Sequence, residues 1–289
     1  MSASHSQCAI VKIMHDVLIA YSKVGMLDRD FSPRNILFVP HGNGDVHGIL
    51  INWDQCRRVE TLDTEGARRR GRTGTWQFLS YQLLINPYKA HTLQDDLQSS
   101  FWTLLYTALK FIPSSLSGMR LANMLKTVFD ESRWDDDQGS YVGENEKLKI
   151  IMHGNYIKPN SIAGTPPIIF RDPATPLNDL VQSLLFLFQD WDTYHIMALR
   201  ETRRLDAKAE AEKLLTSEAI IQLFKEAYTS PDWSHEIADR QEGLVSEEGR
   251  PGGSSSKRVV TEGSEQRRNT QRKSRTSDAT SARLEILDQ

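Results

Sequence analysis

The 289-residue chain carries 35 Lys and Arg against 38 Asp and Glu, a formal charge of −3, which argues against a general pull toward nucleic acid or an anionic membrane. Hydrophobic residues at 39% and charged residues at 25% are those of a globular protein long enough to bury a core. Its two cysteines, Cys8 and Cys56, lie far apart without metal-ligand spacing, which argues against a disulfide framework or a zinc site and for a reducing compartment.

The first seven residues are polar and lack the apolar stretch of a secretory signal. Over residues 8–21, Ile10, Val11, Met14, Val17, Leu18 and Tyr21 recur at helical spacing, which predicts an amphipathic helix stopped by Gly25. A short loop over 28–34 precedes two apolar runs, 36–39 and 48–53. The turn-formers between them predict a β-hairpin. Residues 57–72 are polar and basic, without periodicity, and read as a loop. Thr92 with Asp95 resembles a capping box, opening a helix whose apolar face is Leu97, Phe101, Leu104, Leu105 and Ala108.

Residues 113–176 mix turn-formers with the acidic run Asp135, Asp136 and Asp137, read as a solvated loop. Helices are expected over 177–190 and about 207–228. The apolar runs 101–112 and 180–188 are too short to span a bilayer. From about Gln241, Gly, Ser, Thr, Arg and Glu dominate and no apolar face can be drawn, so a disordered, locally basic tail is expected over 237–289. The sum is an α+β, mainly α fold over residues 1–236 with a single small β-hairpin, in a soluble intracellular protein, cytoplasmic or nuclear.

The loop after the first helix carries Arg29-Asp30 and, five residues beyond Asp30, Asn35. This is the R-D-x-x-x-x-N spacing of a protein-kinase catalytic loop. Phosphoryl transfer needs a carboxylate to receive the acceptor hydroxyl's proton and an amide oxygen to hold a metal ion. Four intervening residues let the loop curl so that both face one phosphate.

Four ordered motifs resemble the fungal-type protein kinases: Asp30-Phe-Ser-Pro-Arg-Asn-Ile-Leu37, Ile49-Leu-Ile-Asn-Trp-Asp54, Arg72-Thr-Gly-Thr-Trp-Gln-Phe-Leu-Ser80 and Asp95-Asp-Leu-Gln-Ser-Ser-Phe-Trp102. The resemblance is strongest over residues 8–110. It implies a kinase-like C-lobe, with ATP and Mg²⁺ as cofactors and a protein substrate or partner. Asp30 would be the catalytic base, Asn35 a metal ligand, and Thr75 a bond to the catalytic loop from the activation segment. Asn52 and Asp54 fall in the metal- and nucleotide-binding element. Arg29 and Asp96 would be structural, Asp96 tying the central helix to the loop backbone. Thr73, after Arg68-Arg-Arg-Gly-Arg72, is a candidate phosphorylation site.

The departures from the family pattern carry their own expectations. Asp28 replaces the histidine of H-R-D, and two nearby acids should raise one pKa or weaken the loop's packing. Asn52 stands where a metal-binding Asp is expected, and Gln82 where a Glu pairs with a distant Arg. No Gly-rich loop, strand lysine or helix glutamate precedes Asp30, so the expectation is a lobe without its N-lobe, truncated or impaired as an enzyme. Such a lobe would expose cleft-facing apolar surface and have marginal solubility or a bound partner, such as the N-lobe on another chain. The alternative is a pseudokinase lobe that binds partners without transferring phosphate. A small-molecule phosphotransferase shares the D-x-x-x-x-N loop, but the Gly74-Thr75 element argues against it.

Overall fold

The computed structural model describes residues 6–40, 45–58, 73–86, 88–137, 139–143, 145–159, 166–171, 174–195 and 205–233. The first helix, α1 (Ser6–Val24), buries Val11, Met14, Val17, Leu18 and Tyr21. Gly25 ends it at a φ of 64°, a left-handed turn that glycine makes without a Cβ clash. The two-residue β1 (Met26–Leu27) leads into the loop that carries Asp28 to Asn35.

The hairpin follows as β2 (Ile36–Pro40) and β3 (Val46–Leu50), paired antiparallel from Ile36 opposite Leu50 to Pro40 opposite Val46. Its position against α1 depends on Gly48, where a Cβ would run into the backbone carbonyl of Ile13. Lys12 fixes the same contact, its Nζ donating to the Val46 carbonyl at 2.7 Å and to Asp16 at 3.0 Å. Leu37, Phe38, Val39 and Ile49 remain exposed, Phe38 at 68%.

The second strand ends at Leu50 rather than at residue 53. Asn52 takes φ 64° and ψ 59° and diverts the chain into a 3₁₀ turn, Trp53–Gln55. The expectation of a single sheet is also corrected. β4 (Arg57–Arg58), in the segment read as loop, pairs antiparallel with β1, and a third ladder lies further on.

The central helix is α3 (Leu93–Phe111), preceded by the short α2 (Tyr81–Ile85). Leu97, Phe101, Trp102, Leu104, Leu105 and Ala108 of α3 are wholly buried. At its start the Asp95 carboxylate accepts from the Thr92 backbone N–H at 2.8 Å and its hydroxyl at 2.9 Å, satisfying donors that a helix N-terminus leaves open.

The segment read as mixed turns contains α4 (Gly118–Leu125), a π-helical turn (Lys126–Asp130), the hairpin of β5 (Arg133–Asp135) and β6 (Ser140–Val142), and α5 (Asn145–His153). The sequence pattern failed here because these elements are one to three turns long, too short for periodicity to accumulate.

α6 (Pro176–His195) packs its Leu- and Phe-rich face on α3. The single helix expected over 207–228 is two: α7 (Leu205–Glu212) and α8 (Glu218–Thr229), separated by a 3₁₀ turn and extended Thr216. The Thr216 hydroxyl accepts the Glu218 backbone N–H at 3.4 Å, and the break lets α8 lie on both α1 and α6 while Leu214 is buried. The described residues are thus mainly helical with short strands, an α+β arrangement. None of their helices is long and apolar enough to cross a membrane. The expected tail over 237–289 and the turn at residues 41–44 lie outside the described residues.

Candidate functional site

Most of the residues singled out from the sequence lie on or against the loop between β1 and β2. Asp96, in the first turn of α3, accepts four hydrogen bonds. Oδ2 receives the Asp28 backbone N–H at 2.7 Å and the Tyr21 hydroxyl at 3.0 Å. Oδ1 receives the Arg29 backbone N–H at 3.0 Å and lies 2.6 Å from His91 Nε2. Since a carboxylate only accepts, His91 carries its proton on Nε2. This hub holds Arg29 at φ 67°, a left-handed conformation that costs a non-glycine residue energy.

Asp30 is held from two sides. The Thr75 N–H and hydroxyl both donate to Oδ1, at 2.6 and 2.7 Å. Asn35 Nδ2 donates to Oδ2 at 3.0 Å and to the Asp30 carbonyl at 2.8 Å. Thr75 reaches this point only because residue 74 is glycine: its φ is 108°, and a Cβ would strike the Arg29 carbonyl.

Asn52 arrives from the end of β3 and donates from Nδ2 to Asn35 Oδ1 at 3.3 Å. The structure therefore brings Asp30, Asn35, Asn52 and Thr75 into one connected chain of hydrogen bonds. Asp54 stands apart, exposed on the 3₁₀ turn. Thr73 is half-buried, and its hydroxyl is buried without a partner among the described residues. So are Ser32 Oγ, Arg29 Nε and Asp28 Oδ2. Unpaired buried polar atoms are uncommon, and four of them lie around this one loop.

The Mg²⁺ that the motif resemblance implies can be tested against this donor set. Asn35 Oδ1 already accepts from Asn52, and Asn52 brings a neutral amide where a hard cation wants an anionic oxygen. Among the described residues no three His, Cys, Asp or Glu side chains converge as metal ligands would. The residues present do not fit the ion.

Burial, then the Asp96 carboxylate and more weakly Asp30, push Asp28 up to about 7, against the pull of the Cys56 thiol, which donates to Asp28 Oδ1 at 3.5 Å. Asp96 therefore outweighs Asp30 in this effect. Burial and Asp28 in turn push the Cys56 thiol up to about 12, leaving it protonated and unreactive at neutral pH.

Three further residues escaped the sequence reading. Lys147 on α5 is buried, and its Nζ donates to the carbonyls of Gln77 and Leu79, both at 2.7 Å. Trp102 and Phe129 present their rings to it at 5.1 and 5.9 Å, and burial holds its pKa well below the ordinary lysine value. Its only signal in sequence is a place three and four residues before Ile150 and Ile151, on the buried face. Asp192 on α6 accepts from the Tyr81 hydroxyl at 2.8 Å and from Gln82 Nε2 at 3.2 Å. A carboxylate thus meets Gln82 where the family pattern has a Glu meeting an Arg. Burial pushes Asp192 up to about 6, against the two hydrogen bonds. Tyr21 at the Asp96 hub read only as core.

Asp28 and Asp192 set a pH dependence. Each has a folded pKa raised above the unfolded value of about 4, so the folded state holds more protons between the two values. Their contribution to stability is full below about pH 4 and is lost as pH rises, through about 6 for Asp192 and about 7 for Asp28. Each should contribute a slope approaching 1.4 kcal/mol per pH unit within its window, at about the strength of one proton. Urea unfolding of the natural chain and Asp28→Asn from pH 4 to 8 measures this. The variant should show the shallower decline; parallel curves would mean that Asp28 ionises normally.

Residues 1–108 match the family model described as fungal protein kinase, the family that the motifs resemble. Among curated proteins, none matches the chain.

Proposed function

With residues 1–108 carrying fungal protein kinase sequence, we propose that the described residues form the substrate-binding lobe of a protein-kinase-like fold that takes a Ser- or Thr-bearing protein segment. In this reading Asp30 is the carboxylate that orients the acceptor hydroxyl and receives its proton. The observation that carries it is the grip of Thr75 and Asn35 on Asp30, which fixes the carboxylate between the two loops. A hydroxyl acceptor needs such an oriented base within hydrogen-bond reach. Residues 76–80 follow Thr75 directly and are the segment against which the protein substrate would lie.

The elements that cover a nucleotide in this fold are not among the described residues, and in this reading they come from outside them. The exposed Leu37 and Val39, with Ile49 paired opposite Leu37 on the same side of the hairpin, support that placement, since an apolar face of this kind calls for a cover. A second reading, a lobe that binds protein without transferring phosphate, is favoured by Asn52 and its closed amide pair.

The two separate in an assay of the full chain with radiolabelled ATP and arrays of Ser and Thr peptides. Under the first reading, incorporation is low, is lost in Asp30→Asn, and rises at least tenfold in Asn52→Asp. Peptide capture without incorporation in any variant establishes the binding module instead. Incorporation that survives Asp30→Asn unchanged sinks the assignment of Asp30.

A further inference from the structure

We infer that the Asn52 amide is a resident substitute for a divalent cation, so that this site is closed and ordered without metal. The inference rests on the kinase-like reading above for what the position would otherwise hold. Asn35 sets the geometry. Its Nδ2 has two N–H groups, and both are engaged by Asp30, one by the carbonyl at 2.8 Å and one by the carboxylate at 3.0 Å. The amide cannot be turned over without setting its oxygen against the Asp30 oxygens, so Oδ1 must face Asn52. The group at position 52 must then donate, and Asn52 does, through Nδ2 at 3.3 Å.

An aspartate at position 52 would set a carboxylate oxygen at that distance from Asn35 Oδ1, with Asp30 on the far side. Two acceptors that face each other are relieved by a bridging proton or cation. Asn52 supplies the bridging hydrogen from its own amide. Its left-handed backbone, at φ 64°, is one that asparagine tolerates. The side chain is also exposed, so a cation would have access from solvent, and what turns it away is the donor set rather than burial. The hydrogen-bonded chain from Thr75 through Asp30 and Asn35 to Asn52 thus closes on an amide where a metal-dependent site would close on an ion.

The test uses the metals alone, with neither nucleotide nor peptide, so its outcome does not depend on whether transfer occurs. Thermal unfolding of the full chain is followed in EDTA and then in Mg²⁺ or Mn²⁺, for the natural protein, Asn52→Asp and Asn52→Leu. The natural chain should keep its midpoint within about 1 °C in all three conditions. Asn52→Asp should melt lower in EDTA and regain about 5–10 °C at a metal concentration a hundred times its dissociation constant. Asn52→Leu, which loses the hydrogen bond without gaining charge, should melt lower and ignore the metals. A shift of several degrees in the natural chain on adding metal overturns the inference, as does an Asn52→Asp variant indifferent to metal. If Asn52→Asp does not fold, the natural chain and Asn52→Leu still decide it: a metal response in either one sinks the idea.

Discussion

Replacing Asp96 with asparagine should cost about 3–5 kcal/mol of folding stability, the typical cost of removing one partner from a buried charged network. The change is isosteric, so no cavity opens and the loss belongs to hydrogen bonding alone. The carboxyl group accepts from two backbone N–H groups, a tyrosine hydroxyl and a histidine. An amide has one oxygen. Whichever way it turns, its NH₂ confronts a backbone N–H that cannot move without the loop, and the tyrosine hydroxyl or imidazole beside it must turn or change tautomer to accept. Hydrogen bonds to a charged group are worth about 1.5–3 kcal/mol each, so losing one to a backbone N–H and removing the charge from the others accounts for the figure. The cost should also be local in consequence: Arg29 would relax from its left-handed conformation, and Asp30 with it. Urea unfolding measures the first effect. A loss below about 1 kcal/mol would mean that the hub is not what holds the loop.

The second large effect is expected at Lys147. Truncation to alanine removes a buried four-carbon stem and leaves the carbonyls of Gln77 and Leu79 without their donor. Cavity and unpaired polar groups together should cost about 3–5 kcal/mol. Lys147→Met separates the two contributions. It keeps the volume and the packing against Trp102 and Phe129 while removing the amine, and the two stranded carbonyls alone should cost about 2–4 kcal/mol. Methionine also spares the chain the burial of an amine, so a methionine variant as stable as the natural protein would show that this relief cancels the loss. Because the bonded carbonyls lie in the segment proposed to meet the protein substrate, peptide capture by Lys147→Met should weaken even at temperatures where the variant is fully folded. Unchanged capture would confine Lys147 to a structural role.

The long elements were legible because their periodicity is long. α1 and α3 are 19 residues each, and every apolar position assigned to the α3 face is wholly buried. The hairpin was legible from two apolar runs around a turn, and the site loop from the spacing of Asp30 and Asn35. The bounds were less so. β3 stops short because the backbone of Asn52 turns left-handed, and no propensity rule forces that on an asparagine after an apolar run. α7 and α8 share one continuous helical pattern, and the break between them is decided by where Leu214 and α8 find apolar neighbours.

The sequence by itself determined the chemistry that is local in the chain: an oriented acid five residues before an asparagine, a glycine before Thr75, and an amide at position 52. Spacing along a backbone is enough for these, because loop, turn and helix geometry act over a few residues. Only the tertiary structure decided what these groups face. Asp96 reaches Asp28 and Arg29 across more than sixty residues of chain, Lys147 reaches Gln77 across seventy, and Asp192 reaches Tyr81 across 111. Such pairings have no period and no spacing to read. They arise when helices packed by their apolar faces leave buried donors and acceptors that must be satisfied by whichever polar side chain the packing brings near.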